Sequence, residues 1–363
     1  MSGPPGRGFA WSRAGLHKSL PVIVGLVVGG CAGALFDALG APAAWLTGPI
    51  IVVAAARYGR LPIAASPTIR DGCFIVLGFT IGSYIDPDTV EKGVAWAPSI
   101  ALVLAGSLAT ILTVGAFLHF ATGWDRTTSF FSSIPGSLVA AVSIAATTKA
   151  DLQKITICHL TRLALISTAF PFAMASLGGL PGGAGAGPQA VRGDFGGAEV
   201  GSLVAAGVVG VILLRAKIPA GPLLGSLAVS LVAHATGLAN AATPSFLLIA
   251  AYVGVGVYTG SRIGAGGAIF SGGAFIGGLA SLACGLSIAA VLALVASQFT
   301  NVPLAQLLFA YAPGGIEVMI VLALTSGYDP AFIGLHQIAR YLFVTTLMLF
   351  ISRLHNAAGR ESS

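Results

Sequence analysis

Apolar runs of about 15 to 28 residues follow one another from Leu20 to Ile351. A helix needs roughly 20 such residues to cross the hydrocarbon of a bilayer, fewer if protein surrounds it. Backbone polar groups in lipid must be satisfied internally, and the Leu/Val/Ala runs lack the alternation of barrel strands. The runs therefore predict an all-α polytopic membrane protein. Composition agrees, with 56% hydrophobic and only 8% charged residues, against roughly a quarter charged in soluble domains.

The formal charge of +6 comes from 18 scattered Lys and Arg residues that never form a run of three. They read as topology signals, and no nucleic-acid partner is expected. Cys31, Cys73, Cys158 and Cys284 lie in or beside apolar runs without CxxC spacing; small buried hydrophobes are expected, not disulfides or metal ligands. The opening "MSGPPGRGFAWSRAGLHKSL" places Arg7, Arg13 and Lys18 before the first run, which fits an uncleaved first span with a cytoplasmic N-terminus.

The runs fall into two matching lists. The first is 20–39, 42–58, 70–85, 94–120, 128–147 and 155–177; the second is 200–214, 219–235, 244–260, 271–299, 302–325 and 331–352. At an offset of about 178, Gly78, Gly82 and Ser83 match Gly256, Gly260 and Ser261, while Phe131, Pro135, Gly136, Asp151 and Arg162 match Phe309, Pro313, Gly314, Asp329 and Arg340. "APAAWLTG" matches "IPAGPLLG" at an offset one residue shorter. An internal duplication is expected. It divides the chain into a tail (1–19), a first membrane repeat (20–177), a Gly/Pro-rich linker (178–198), a second repeat (199–352) and a tail (353–363).

Twelve full spans would put ten basic residues inside and six outside. If 128–147 and 302–325 instead enter and leave on one side as re-entrant hairpins, each unit crosses five times and the second is inverted; only Lys92 and Arg192 then stay outside, fourteen against two. Both hairpin runs contain a Pro-Gly pair, which breaks a helix where its freed amides can line a protected cavity. Inverted repeats with broken helices recur in secondary transporters. Twelve spans in parallel repeats is the competing arrangement.

Arg162 and Arg340 each stand inside a span, where a guanidinium costs about 2.5 to 3.5 kcal/mol to insert. They face the bundle interior, and there a carboxylate of the protein or of an anionic solute, or else they snorkel to headgroups. Glu317, whose counterpart is Val139, is the lone acidic residue of the second hairpin; it binds a cation or proton, or it neutralises Arg340 as an internal pair. Pro135, Gly136, Ser137, Pro313, Gly314 and Gly315 would offer backbone amides at the hairpin tips, or simply pack closely. His159 and His336 lie one turn before the arginines, as packing residues or proton relays. Asp37 and Asp71 are expected to be solvated at membrane boundaries. No nucleotide loop, catalytic triad or metal-ligand cluster supports an enzyme, and no cofactor is expected.

"LGAPAAWLTGPI", "VLGFTIGSYID" and "IPGSLVAAVSIAATTKADLQKITICHLTR", with the second copy "APGGIEVMIVLALTSGYDPAFIGLHQIAR", resemble the duplicated unit of the AbrB-type integral membrane family. The likeness spans the chain between its tails. The second copy carries the family's Pro-Gly-Gly-x-Glu/Ser segment and trailing Gln-x-x-Arg; the first departs from it with Ser137, Val139 and His159. This family shares only a name with a soluble DNA-binding regulator. Its members are labelled regulators of gene expression or ammonia monooxygenases, and the second label meets no copper or iron ligand set here. The units are also similar, at the level of fold, to sodium-dependent glutamate and hydroxycarboxylate symporters. The matched Pro-Gly breaks and paired intramembrane arginines lead to the expectation of a secondary transporter of a small anionic solute in a bacterial inner membrane; the family label supplies the alternative, indirect regulation of expression, and homo-oligomerisation is left open.

Overall fold

A computed structural model describes residues 13–85, 93, 95–136, 138–176, 195–241, 243–265 and 272–361. Residues 86–92, Ser137, most of the linker and the first twelve residues lie outside that set. Fourteen helices and no strand occur among the described residues. The first unit holds α1 (Arg13–Ala38), α2 (Ala44–Tyr58), α3 (Pro67–Ser83), α4 (Ala97–Thr122), α5 (Arg126–Ser133), α6 (Leu138–Ala145) and α7 (Leu152–Ser176). The second repeats the order with α8 (Gly197–Arg215), α9 (Gly221–Ala235), α10 (Ser245–Ala265), α11 (Gly273–Ala296), α12 (Leu304–Tyr311), α13 (Ile316–Ser326) and α14 (Pro330–Glu361).

Seven of these, α1, α4, α7, α8, α10, α11 and α14, are long and apolar enough to cross a membrane. The chain is a multi-pass membrane protein. The other three expected crossings fall on short helices: α2 and α9 have 15 residues and α3 has 17. Such lengths suffice where protein, not lipid, surrounds the helix. α1 begins before Leu20 and α14 runs on to Glu361, because neither "RAGLHKS" nor "RLHNAAGRE" contains a helix-breaking proline.

The two Pro-Gly runs each split into two short helices. A residue before proline is driven to extended backbone by the ring. Ile134 sits at φ −63, ψ 122 and ends α5; Ala312 sits at φ −56, ψ 136 and ends α12. Behind the hairpins, Asp151 and Asp329 act alike at the starts of α7 and α14. Asp151 Oδ1 accepts from the amides of Gln153 and Lys154 at 3.0 and 3.1 Å, and Asp329 Oδ1 from those of Ala331 and Phe332 at 2.8 and 3.2 Å. N-terminal capping explains why both aspartates recur.

Backbone strain recurs as well. Ala43 (φ 48) and Ala220 (φ 55) adopt the left-handed conformation immediately before α2 and α9, at the matched Pro-Ala pairs. Gly40 and Lys217, and Arg60 and Gly237, share positive φ at the same 177-residue offset. L-residues adopt this conformation only where the surroundings enforce it.

The units interlock through glycines. α3 packs on α9, and α10 on α2. A Cβ on Gly82 would lie 2.7 Å from the Leu227 carbonyl, and one on Gly260 only 2.6 Å from that of Ile50. Gly78 faces Leu223 and Ser226 while Gly82 faces Leu227 and Ser230, so α3 and α9 run in the same direction. α10 and α2 also run in parallel: Gly256 faces Leu46 and Pro49, Gly260 faces Ile50, and Gly264 faces Ala54. The repeat-equivalent helices α4 and α11 cross in opposite directions, since Gly277 faces Leu118, Gly285 faces Thr110, and Gly106 faces Ile288 and Leu292. α13 lies at the centre, with every residue buried except the half-buried Glu317.

Candidate functional site

Breaking a helix frees carbonyls at the end of its first half, and each must find a donor where no water reaches. Arg162 and Arg340 supply those donors. Each is 3% exposed. Arg162 Nη2 donates to the Ile134 carbonyl at 2.6 Å, and Arg340 Nη1 to the Ala312 carbonyl at 2.6 Å. Arg340 reaches further, to the carbonyls of Tyr311 at 3.3 Å and Gly314 at 3.1 Å.

The neighbouring side chain is matched too. Gln337 Nε2 donates to the Phe309 carbonyl at 3.0 Å while its Oε1 accepts from Arg340. His159 occupies the equivalent place, with Nε2 at 2.9 Å from the Phe131 carbonyl and Nδ1 at 3.1 Å from Arg162. A guanidinium can only donate and a carbonyl can only accept. The wiring therefore assigns His159 the neutral Nε2–H tautomer and makes it a brace of the helix break.

Of the partners expected for these arginines, a carboxylate of the protein is not the one found among the described residues. Neither forms an ion pair among the described residues, and Glu317 does not neutralise Arg340; the two ion pairs present are Arg70–Asp71 and Lys154–Asp151. The reason is local: carbonyls freed by proline sit closer to the guanidinium than any carboxylate. A guanidinium solvated in this way still carries its charge.

Both breaks meet one cavity of about 280 Å³. Gly136, His159 and Arg162 line it from the first unit; Pro313, Gly315 and Glu317 line it from the second. Pro135 and Arg340 border a separate crevice of about 10 Å³, where Pro135 and Pro313 both appear. Gly314 joins through its carbonyl to Arg340. Ser137 lies outside the described residues. His336 does not reach the cavity: its Nδ1 lies 2.8 Å from the Phe332 carbonyl and its Nε2 3.0 Å from Ser99 Oγ, which contacts the Tyr311 hydroxyl at 2.7 Å.

The remaining wall holds residues that sequence reasoning missed. Arg70, Asp71, Tyr258 and Arg262 line the cavity beside the αL turn at Ala220. In the sequence Arg70 and Arg262 mark only topology and Asp71 a solvated boundary; in the fold Asp71 Oδ1 accepts from Arg70 Nε at 2.8 Å and Nη2 at 2.5 Å. With Arg70, Arg162 and Arg262 against Asp71 and Glu317, three positive charges face two negative ones. Among the described residues no three His, Cys, Asp or Glu side chains cluster as metal ligands.

A family model described as transition state regulatory protein AbrB matches residues 45–356. The chain belongs to the AbrB family. In this AbrB-family protein the match covers both breaks, both arginines and every cavity residue named above. No curated protein and no solved structure matches it significantly.

Proposed function

We propose that this AbrB-family protein is a secondary transporter of a small anionic solute, bound in the cavity between the two helix breaks. The observation that carries the reading is that one cavity is lined by both breaks and by three guanidiniums, with a net charge of +1. At about 280 Å³ it is slightly smaller than the roughly 300 Å³ at which ligand pockets begin, which suits a solute of a few heavy atoms. The N-termini of α6 and α13, which follow the breaks, add to the attraction for an anion.

Alternating access requires two units facing opposite ways. The opposed crossing of α4 and α11 supports this, because repeat equivalents run antiparallel when their two-fold axis lies in the membrane plane and parallel when it lies along the normal. Parallel packing of α3 on α9 and of α10 on α2 fits the same inverted arrangement. In that topology the ends of α3 and α10 bearing Arg70 and Arg262 face the cytoplasm, so this cavity is the inward one.

Reconstituted protein should accumulate at least one small carboxylate above empty vesicles under an imposed proton or sodium gradient. Failure of every member of a panel of mono- and dicarboxylates to accumulate would remove the reading. The family description favours a second reading, in which the protein regulates expression. We read that as indirect, through the level of the carried solute. A transport-dead but membrane-inserted variant should then reproduce the transcript changes of a deletion; unchanged transcripts would point to regulation independent of flux.

A further inference from the structure

Duplication does not explain Arg262. Its counterpart in the first unit is Tyr84, and those of Arg70 and Tyr258 are Leu248 and Thr80. The three therefore form a feature of one side only. Arg70 Cζ stands 5.2 Å from the Tyr258 ring centroid and Arg262 Cζ 5.5 Å from it. Both guanidiniums also reach the one hydroxyl, Arg70 Nη1 at 3.1 Å and Arg262 Nη1 at 3.5 Å. Two like charges thus converge on a single buried phenol.

Asp71 neutralises only one of them. Its Oδ1 takes both bonds from Arg70, whereas no carboxylate among the described residues lies within ion-pair distance of Arg262. A guanidinium has five N–H donors in a planar fork, and the long contact to the phenol occupies one. Arg262 is half-buried on the cavity wall, and among the described residues its fork makes only that one hydrogen bond.

We propose that Arg262, steadied by the Tyr258 ring and flanked by Arg70, binds the carboxylate of the transported solute. A planar carboxylate matches the fork bidentately and would screen the two guanidiniums from each other. Charge selects the class: the cavity has an excess of one positive charge, which one carboxylate balances and a doubly charged phosphate would overshoot. The division of labour follows. Arg162 and Arg340 hold the breaks, and Arg262 receives the ligand. The identity of the ligand as a transported solute rests on the carrier reading; the carboxylate site does not.

Thermal unfolding of the purified protein in neutral-lipid nanodiscs tests the site without flux, using acetate, propionate and inorganic phosphate as probes. Acetate or propionate should stabilise the parent. Arg262→Lys, which keeps the charge and loses the fork, should weaken the apparent affinity about ten-fold, and Arg262→Gln should abolish the effect. Exposed Arg215, outside the cavity, gives the control: Arg215→Gln should behave as the parent. The proposal is overturned if no carboxylate stabilises the parent, if Arg262→Gln responds as the parent does, or if phosphate equals acetate. It is also overturned if Arg262 governs only a shift on adding anionic lipid, which would make the site a headgroup anchor. Carboxylate binding that depends on Arg262 without any flux would sink the carrier reading and support this site; flux insensitive to Arg262→Gln would do the reverse.

Discussion

Arg340 donates to the Ala312 carbonyl at 2.6 Å, immediately before Pro313, and Arg162 repeats the bond to Ile134 before Pro135. Each arginine stands 28 residues from its acceptor, so a helix beyond the hairpin closes the gap that the proline opens. The two braces are unequal. Arg340 satisfies three carbonyls and Gln337, Arg162 one carbonyl, His159 and Ser281.

That inequality predicts different costs of truncation. A buried group left without its partner costs about 1–3 kcal/mol. Arg340→Ala should lose about 3–5 kcal/mol and Arg162→Ala about 1–3 kcal/mol on the same basis. Equal losses in reversible unfolding in detergent, or none, would contradict the bracing role.

His159 and Gln337 fill one role with different chemistry, each bonding a Phe carbonyl and an arginine. His159→Gln should therefore keep the melting temperature within a few degrees, whereas His159→Leu, which can bond neither, should lower it clearly. A melting temperature for His159→Leu equal to that of the parent would count against the brace.

The glycine contacts predict a steep position dependence. Gly260→Ala would place its Cβ 2.6 Å from the Ile50 carbonyl and should cost about 1–3 kcal/mol by overpacking. Gly30→Ala meets nothing within 4 Å on α1 and should be neutral or stabilising, because alanine favours helix. Folded yield after detergent extraction separates the two.

Glu317 is half-buried on the cavity wall and in no ion pair among the described residues. Glu317→Gln should leave stability within about 0.5 kcal/mol. It should raise the affinity for a carboxylate probe about five-fold, the factor for about 1 kcal/mol, because the cavity loses a negative charge. A large loss of stability would instead mark Glu317 as structural.

Exposed Lys149 and Asn301 report the orientation of the units. With inverted units, Lys149→Cys labels from the cytoplasm and Asn301→Cys from outside. Twelve full spans give the opposite pattern, and impermeant thiol reagents on intact cells and inverted vesicles read it directly.

The sequence by itself determined the helices and the breaks. Long apolar runs have no alternative to helix in lipid, and Pro135 and Pro313 interrupt their helices through ring geometry alone. It also singled out Arg162, Arg340 and Glu317, since charge in an apolar run stands out. Only the tertiary structure decided what they touch. The carbonyls that Arg162 and Arg340 brace lie 26 to 29 residues away, and the wall formed by Arg70, Tyr258 and Arg262 joins positions up to 192 apart. Periodicity and local propensity act over a few turns of helix, whereas a cavity charge is set by which distant side chains packing brings together.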